Sequence, residues 1–581
     1  MPRRSVAVVP FGARSADPRA GAWGRQIARR LVDRFADHAS LELKPVFLVA
    51  MADAPSDAGY LVFGSTPEPS LAAQYGASLG TSHALVGVLR ADGAERAIEA
   101  TLVDVAAKTG VATLAHPIPA GALAGAEAAL AAWLSAALQV DVPPEPAAMA
   151  EPAYAALLEG LDEEVNATLL AASDARGAAD ARGRAAALYL DAVEADPAAA
   201  AAEERLLVLA AESLERGDEP TFVGPLERLT ELAPRSWRGH YLLGELRRLS
   251  GDPSGAVVAL EHADALHPLG DGDSVRLAEL YLEAGAETSA RSRLRRIKPD
   301  SQDYAQAQDI IGVLAVQRGD LAEAAAAFER AVTAGPRDGA VVGRLAQVLA
   351  ANGDLAPAIA RYREALMLGA SADARLGLAR ALVAAGHPEV AATELETLLG
   401  TLKIGETAAH ARRLLLGLRR HDLEERLERA GRAAVGGPES ELAAADAELA
   451  QVIAVEPDLW EAHFAIGLIA RRRGDAAAAE RALTRVLELW PEQPDALHEL
   501  GVALLMAERT TDALPLLDEA ARLRPEDAGY LADAGFAQLR AGNLHAARER
   551  LMLASELDAD DPITQAYLQE LARLETAGRP N

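Results

Sequence analysis

The stretch from Gly312 to Pro336 decides the fold: Gly312-Val313-Leu314-Ala315, then Gly319-Asp320, Ala324, Phe328, Ala331 and Pro336. Its spacing returns on both sides with a step of 34 residues. Ala256, Ala290, Ala324, Ala358 and Ala392 form one row, and Gly244, Ala278, Gly312 and Ala346 form another. Self-similarity at a fixed period marks a solenoid, whose units bury their apolar faces only against their neighbours. The residue types make each unit a helical hairpin. Small residues stand where two helices cross closely, and Phe328, Tyr362 and Leu483 fill the gap toward the next hairpin. Gly251-Asp252, Gly319-Asp320, Gly353-Asp354, Gly474-Asp475 and Gly542-Asn543 stop one helix and cap the next. Pro336, Pro491 and Pro525 close their units.

Gly467, Ala479, Leu483, Val486 and Pro491, and again Gly501, Ala513, Leu517, Ala520 and Pro525, repeat the pattern farther on. It resembles the tetratricopeptide repeat (TPR). The register gives units at 166–199, 203–236, 237–270, 271–304, 305–338, 339–372 and 373–406, an array over 166–406 preceded by a linker and first helix at 141–165. A disturbed helical stretch at 407–459, broken at Gly436-Gly437-Pro438, reads as one or two irregular units. Three further units fill 460–561. Residues 562–581 read as a capping helix and tail, with Ile563, Tyr567, Leu571 and Leu574 on one face.

Residues 1–140 do not follow the repeat. Ser5–Phe11 reads as a buried strand, Gly21–His38 as a helix, Leu41–Ala50 as a strand and Ser70–Leu79 as a short helix. His83–Arg90 and Arg96–Val105 read as a hairpin turning at Ala91-Asp92-Gly93, Val111–Ile118 as a further strand and Leu123–Leu138 as a closing helix. The order implies a compact α/β layer. Val6-Ala7-Val8-Val9-Pro10-Phe11, Leu79-Gly80-Thr81-Ser82-His83 with the strand after it, and Thr101-Leu102-Val103-Asp104-Val105 resemble the TolB-type N-terminal domain. That resemblance implies a docking or sensing role, as in bacterial signalling and regulatory proteins, and carries no catalytic motif. The fold class expected is therefore multidomain: a small N-terminal α/β domain followed by an all-α superhelical TPR solenoid.

Charge is unevenly divided. Residues 1–140 hold 12 basic and 12 acidic side chains, and the rest holds 45 basic and 74 acidic, which gives the net −29. A basic stripe for nucleic acid is not visible, and no apolar run is long enough for a membrane span. The start, Met1-Pro2-Arg3-Arg4-Ser5, lacks an apolar signal core, so a cytoplasmic location is expected. Chemical motifs fail on inspection. Lys108-Thr109-Gly110 has no accompanying Ser-x-x-Lys. Asp271-x-Asp273 has Leu282 where a calcium loop needs Glu, so it reads as a turn with Ser274 capping the next helix. His240 and His463 fall in large-residue slots, and His262 and His267 flank a helix end. Neither an enzyme nor a metal or cofactor site is expected.

If the chain is similar to other TPR proteins, the first helix of each hairpin lines the concave face. Tyr241, Glu245, Arg248, Val275, Glu279 and Leu282 then point into it, followed by Asp309, Val313, Val316 and Gln347. Farther along come Phe464, Leu468, Arg471, His498 and Val502. Asn352 and Asn543 fall in turns, which argues against a clamp for a terminal carboxylate. The mixed surface suits protein partners, basic or amphipathic helical segments among them. A scaffold or adaptor is the leading expectation, with homo-oligomerisation open. The rival is a signalling component whose N-terminal domain senses a small ligand or docks an effector.

Overall fold

A computed structural model describes residues 4–46, 49–50, 59–60, 67–92, 95–145, 148–217 and 221–577. The chain divides into two compact units, Met1–Arg296 and Ile297–Asn581.

The first unit opens with β1 (Arg4–Val8), β2 (Gly12–Ser15), α1 (Ala20–Arg34), β3 (Leu41–Pro45), β4 (Val49–Ala50), β5 (Gly59–Tyr60) and α2 (Pro69–Ser78). Then come β6 (His83–Asp92), β7 (Glu95–Asp104), β8 (Thr109–Ile118) and α3 (Leu123–Leu138). The main sheet runs β3-β1-β6-β7-β8, with β2 also on β6, and β4 pairs with β5 apart from it. β1 and β2 are parallel to β6, and the β6-β7-β8 meander is antiparallel. One face buries Trp23, Ile27, Leu31, Leu130 and Leu134 of α1 and α3, and the other meets Ala72 and Ala73 of α2. The run Ser5–Phe11 is broken: β1 ends at Val8, and the chain re-enters the sheet as β2. The Leu41–Ala50 run divides into β3 and β4, and Gly93 of the expected turn lies outside the described residues.

The rest of this unit is helical: α4 (Glu151–Leu170) pairs with α5 (Ala175–Ala195), α6 (Ala200–Arg216) and α7 (Val223–Leu232) each pack on α5 and α8, α8 (Trp237–Leu249) pairs with α9 (Pro253–Leu266), and α10 (Asp271–Glu283) with α11 (Glu287–Leu294). The first hairpin is longer than the repeat and starts earlier than the register suggests. Gly160 lets it close: a Cβ there would lie 2.5 Å from the Tyr189 ring. Ser274 lies inside α10 and is buried, so it caps nothing; Gly270 stands at the N-cap.

The α/β domain is fastened to the array through α1 and α4. Arg25 forms an ion pair with the buried Asp162 at 2.5 Å, and Gln26 donates to the same carboxylate at 3.1 Å. Trp23 Nε1 donates to Glu159 at 2.9 Å, and Arg30 and the Tyr154 hydroxyl both donate to the buried Glu127 at 2.8 Å. An open solenoid exposes the apolar face of its first repeat; here the α/β domain covers it.

The second unit holds α12 (Tyr304–Gln317) with α13 (Leu321–Ala334), α14 (Gly339–Ala351) with α15 (Leu355–Met367), and α16 (Ala372–Ala384) with α17 (Pro388–Thr401). The helices α18 (Glu406–Arg419), α19 (His421–Gly436) and α20 (Glu439–Val455) follow. Then come α21 (Trp460–Arg472) with α22 (Ala476–Leu489), α23 (Pro494–Met506) with α24 (Thr510–Leu523), α25 (Ala528–Arg540) with α26 (Leu544–Leu557), and the closing α27 (Pro562–Ala577). Asp320 and Asp475 cap α13 and α22 through their side chains, and Gly319 and Gly474 take positive φ before them. The crossing alanines Ala324 and Ala358 are fully buried. On α27, Leu571 is buried and Tyr567 stacks on Phe536 at 4.3 Å, whereas Ile563 is exposed.

The stretch 407–459 departs from the repeat in a definite way. α18 packs on α16 and α17 as the first helix of a unit would, but no second helix folds back on it. Arg420 alone separates α18 from α19, which pairs with α20 instead. The loop before α18 is tied to a distant hairpin, the Gly405 N–H donating to the Leu489 carbonyl at 2.7 Å.

Candidate functional site

The register slots of the first helices explain where a surface is available. Tyr241, Val275, Asp309 and Gly343 occupy one slot at successive 34-residue steps. Tyr241 is half-buried; its hydroxyl donates to Asp273 at 3.1 Å and accepts from Arg276 at 2.9 Å, and burial pushes its pKa up. Val275 is 2% exposed and packs inside the array, which removes it from the expected surface. Asp309 is held by Arg344 in a two-pronged pair at 3.0 and 2.6 Å. With Gly343 the slot empties, and a groove opens.

The next useful slot holds Glu245, Glu279, Val313 and Gln347. Glu245 is buried against Arg248 at 3.1 Å and Arg276 at 3.8 Å, whereas Glu279 and Leu282 are half-buried. Val313 and Val316 are exposed, and Gln347 is exposed beside them. α14 begins at Gly339 but α16 at Ala372, so one step is 33 residues. The missing residue falls in the turn at Gly369, which takes a φ of 83°. Arg380, not Ala381, therefore follows Gln347 in the slot; Arg380 is exposed and Ala381 is buried.

Gln347 and Arg380 line a groove of about 800 Å³ on α14, α16 and α18, and Gln347 is the one expected site residue in it. Its floor is small: Gly343, Gly377, Ala350 and Ala374. Its walls carry Arg344, Gln347, Arg380, Asp373, Glu406 and His410. Gly377 lies over the Tyr362 ring, where a Cβ would approach to 2.6 Å. The Thr407 hydroxyl donates to Asp373 and fixes the α16–α18 wall. The sequence reading missed Gly377, Arg380 and His410. Gly343 and Gly377 stand in different slots, because the step between their helices is 33 residues, so the 34-residue spacing did not single them out.

In the last repeats the anticipated residues are tied to neighbours. Phe464 is half-buried near Trp460, and Leu468 is 8% exposed and belongs to the core. Arg471 pairs with Glu499 at 2.5 Å. His498 stacks on Tyr530 at 4.3 Å and lies 2.9 Å from Asp533, and Val502 is half-buried. A smaller groove of about 320 Å³ lies in the first unit between Trp237, Tyr241, His267 and Asp273, with Trp237 stacked on His267 at 4.4 Å. His240 and His463 each bond the carbonyl of a proline six residues earlier, at 3.2 and 2.8 Å. Among the described residues, no group of three His, Cys, Asp or Glu is placed to hold a metal ion, and no helix is long and apolar enough to cross a membrane.

Comparison with known proteins bears on the repeats alone. Two family models described as tetratricopeptide repeat match the chain, one over 439–494 and 464–528 and the other over 315–371. Such repeats generally mediate protein–protein interaction and are typically not catalytic. No curated protein matches. Among solved structures, the chain is similar to Pseudomonas aeruginosa pilF, at 20% identity over 33% of this chain and 89% of that one, with a TM-score of 0.28. It is also similar to the C-terminal part of a TPR repeat-containing protein from Cytophaga hutchinsonii, at 14% identity over 51% and 99%, with a TM-score of 0.32.

Proposed function

We propose that this chain is a non-enzymatic scaffold that seats a segment of a partner protein in the groove of α14, α16 and α18. The groove itself carries the reading: about 800 Å³ of open volume over a glycine and alanine floor, walled by side chains of both charges. Small floor residues admit a backbone closely, and the mixed walls supply orienting hydrogen bonds, as helix-in-groove and extended-segment recognition require. The surplus of acid in the repeats favours basic or amphipathic helical segments. The N-terminal domain is read as a TolB-type docking module, on its motifs and its strand and helix order, and the location as cytoplasmic. A small-ligand role for that domain has less support. The cavity beside Val8, Arg25 and Gln26 is about 30 Å³, room for roughly one water.

Photo-crosslinking tests the groove. A benzophenone amino acid is placed at Gln347 or at Arg380, and in a control at the exposed Val390 on α17. Crosslinks to a single protein segment are expected from the first two positions. Crosslinks from Val390 alone would put the binding surface on the second helices.

A further inference from the structure

β8 ends the main sheet, and no described strand lies beyond it. One of its faces is fastened, since Ala112 and Leu114 pack against the core that α3 shares. Its other face is open, with Thr109, Gly110, Val111, Thr113 and Ala115 exposed; among the described residues nothing pairs with its outer edge, and none of its ten residues is Asp, Glu, Lys or Arg. A long uncharged edge is a template for another strand.

The register shows which backbone groups face outward. Pro117 lies opposite Ala97, Ala115 opposite Glu99 and Thr113 opposite Thr101. Opposed residues in an antiparallel ladder alternate between pairs that exchange two hydrogen bonds and pairs that exchange none. Pro117 has no N–H, so its pair is of the second kind, and the pairs of Ala115 and Thr113 share that state. The N–H and C=O groups of Thr113 and Ala115 therefore aim away from β7. Two features bound this segment. Pro117 stands at one end, and at the other Val111 is skipped by the ladder at the irregularity beside Leu102 and Val103. Both stand three residues from Leu114.

We propose that β8 pairs antiparallel with β8 of a second copy of this chain, about a two-fold axis at Leu114. Thr113 of each copy then exchanges both backbone bonds with Ala115 of the other, giving four hydrogen bonds. Leu114 meets its own counterpart across the axis. The bulged Val111 falls opposite Pro117, so the residue without an N–H meets the place where the ladder is already broken. A strand of arbitrary sequence has no reason to match those two interruptions; a second copy matches them by symmetry. Charge points to the same occupant. Residues 1–140 balance at 12 basic and 12 acidic groups, while the surplus acid lies in the rest of the chain. Copies meet through the neutral domain without the repulsion their repeats carry. The inference is independent of the groove.

The chain has no cysteine, so single cysteines test the register in the full-length protein. Leu114→Cys places two thiols across a pair whose Cα atoms are about 4.5 Å apart, within disulfide reach. Ala112→Cys places its pair roughly 13 Å apart, four residues of strand, and beyond reach. The full chain is expected to sediment as a dimer, Leu114→Cys to oxidise to a linked dimer and Ala112→Cys to remain unlinked. Ala115→Pro removes an outward N–H and is expected to give a monomer with unchanged circular dichroism; if it unfolds, the cysteine pair decides. A monomeric full chain, equal crosslinking at both cysteines, or a folded Ala115→Pro dimer would each overturn the proposal.

Discussion

A glycine on the first helix and a large side chain sixteen residues later make one contact in this chain. A Cβ at Gly244, Gly312, Gly467 or Gly501 would come within 2.5–2.6 Å of Leu260, Phe328, Leu483 or Leu517. The alanines between them are as tightly held. Ala324→Leu is expected to destabilise the second unit by about 1–3 kcal/mol through overpacking, while Val313→Ala, at an exposed site, should stay within about 0.5 kcal/mol. Equal denaturation midpoints for the two variants would contradict this assignment of faces. A second residue prediction concerns Glu461 on α21. Burial pushes its pKa up to about 7, and Arg413, 4.0 Å away, only partly offsets that. The folded state therefore holds a proton that the unfolded state releases near the ordinary glutamate range. Stability from this group is full at low pH and falls as pH rises toward 7. Glu461→Gln should stabilise the protein at pH 8 by at most about 3 kcal/mol and leave it unchanged at pH 4. A variant no more stable than the parent at pH 8 would show that the carboxylate is better solvated than its position implies.

At the scale of elements, the contact of α1 with α4 rests on Asp162. Its carboxylate is 7% exposed and is shared by Arg25 and Gln26. Asp162→Ala would leave the Arg25 guanidinium, itself 14% exposed, without that partner, and breaking a buried pair costs about 3–5 kcal/mol. Amide exchange should rise along α1 and α4 and stay unchanged in α23–α26. Uniform exchange across the chain would mean that the contact is not a separable joint. This joint was not legible in the sequence, because Arg25 and Asp162 are far apart in the chain and no local pattern pairs them. The hairpins were legible, since the small residue, the large residue and the Gly-Asp turn of each unit lie within one 34-residue step. Reading failed where that step changed. The one-residue deletion at Gly369 put Arg380 in the groove slot, where a 34-residue step points to Ala381. The stretch 407–459 was legible as irregular, but not that α18 lacks a second helix of its own. Val275 and Leu468 were misread as surface because one residue along a helix turns a side chain by about 100°, enough to move it from the groove to the neighbouring helix. The first strand was carried on to Phe11, and β2 at Gly12–Ser15 was missed, because Val9-Pro10-Phe11 stays apolar across the break.

For the molecule as a whole, the net charge of −29 acts at a different range from the groove. The groove walls carry both signs, Arg380 and Arg344 against Asp373 and Glu406, so contacts there are local and differ little with salt. The surplus acid lies outside residues 1–140 and is felt over about 10 Å at 0.1 M ionic strength, shrinking to about 3 Å at 1 M. A basic amphipathic peptide that occupies the groove should therefore associate faster at low salt. Its association rate is expected to fall by about tenfold or more as salt rises from 0.05 to 0.5 M, with the dissociation rate nearly constant. Stopped-flow fluorescence of a labelled peptide measures both rates. A dissociation rate that climbs with salt while association stays flat would place the charged contacts inside the bound complex, and the long-range field of the repeats would then have no part in partner choice.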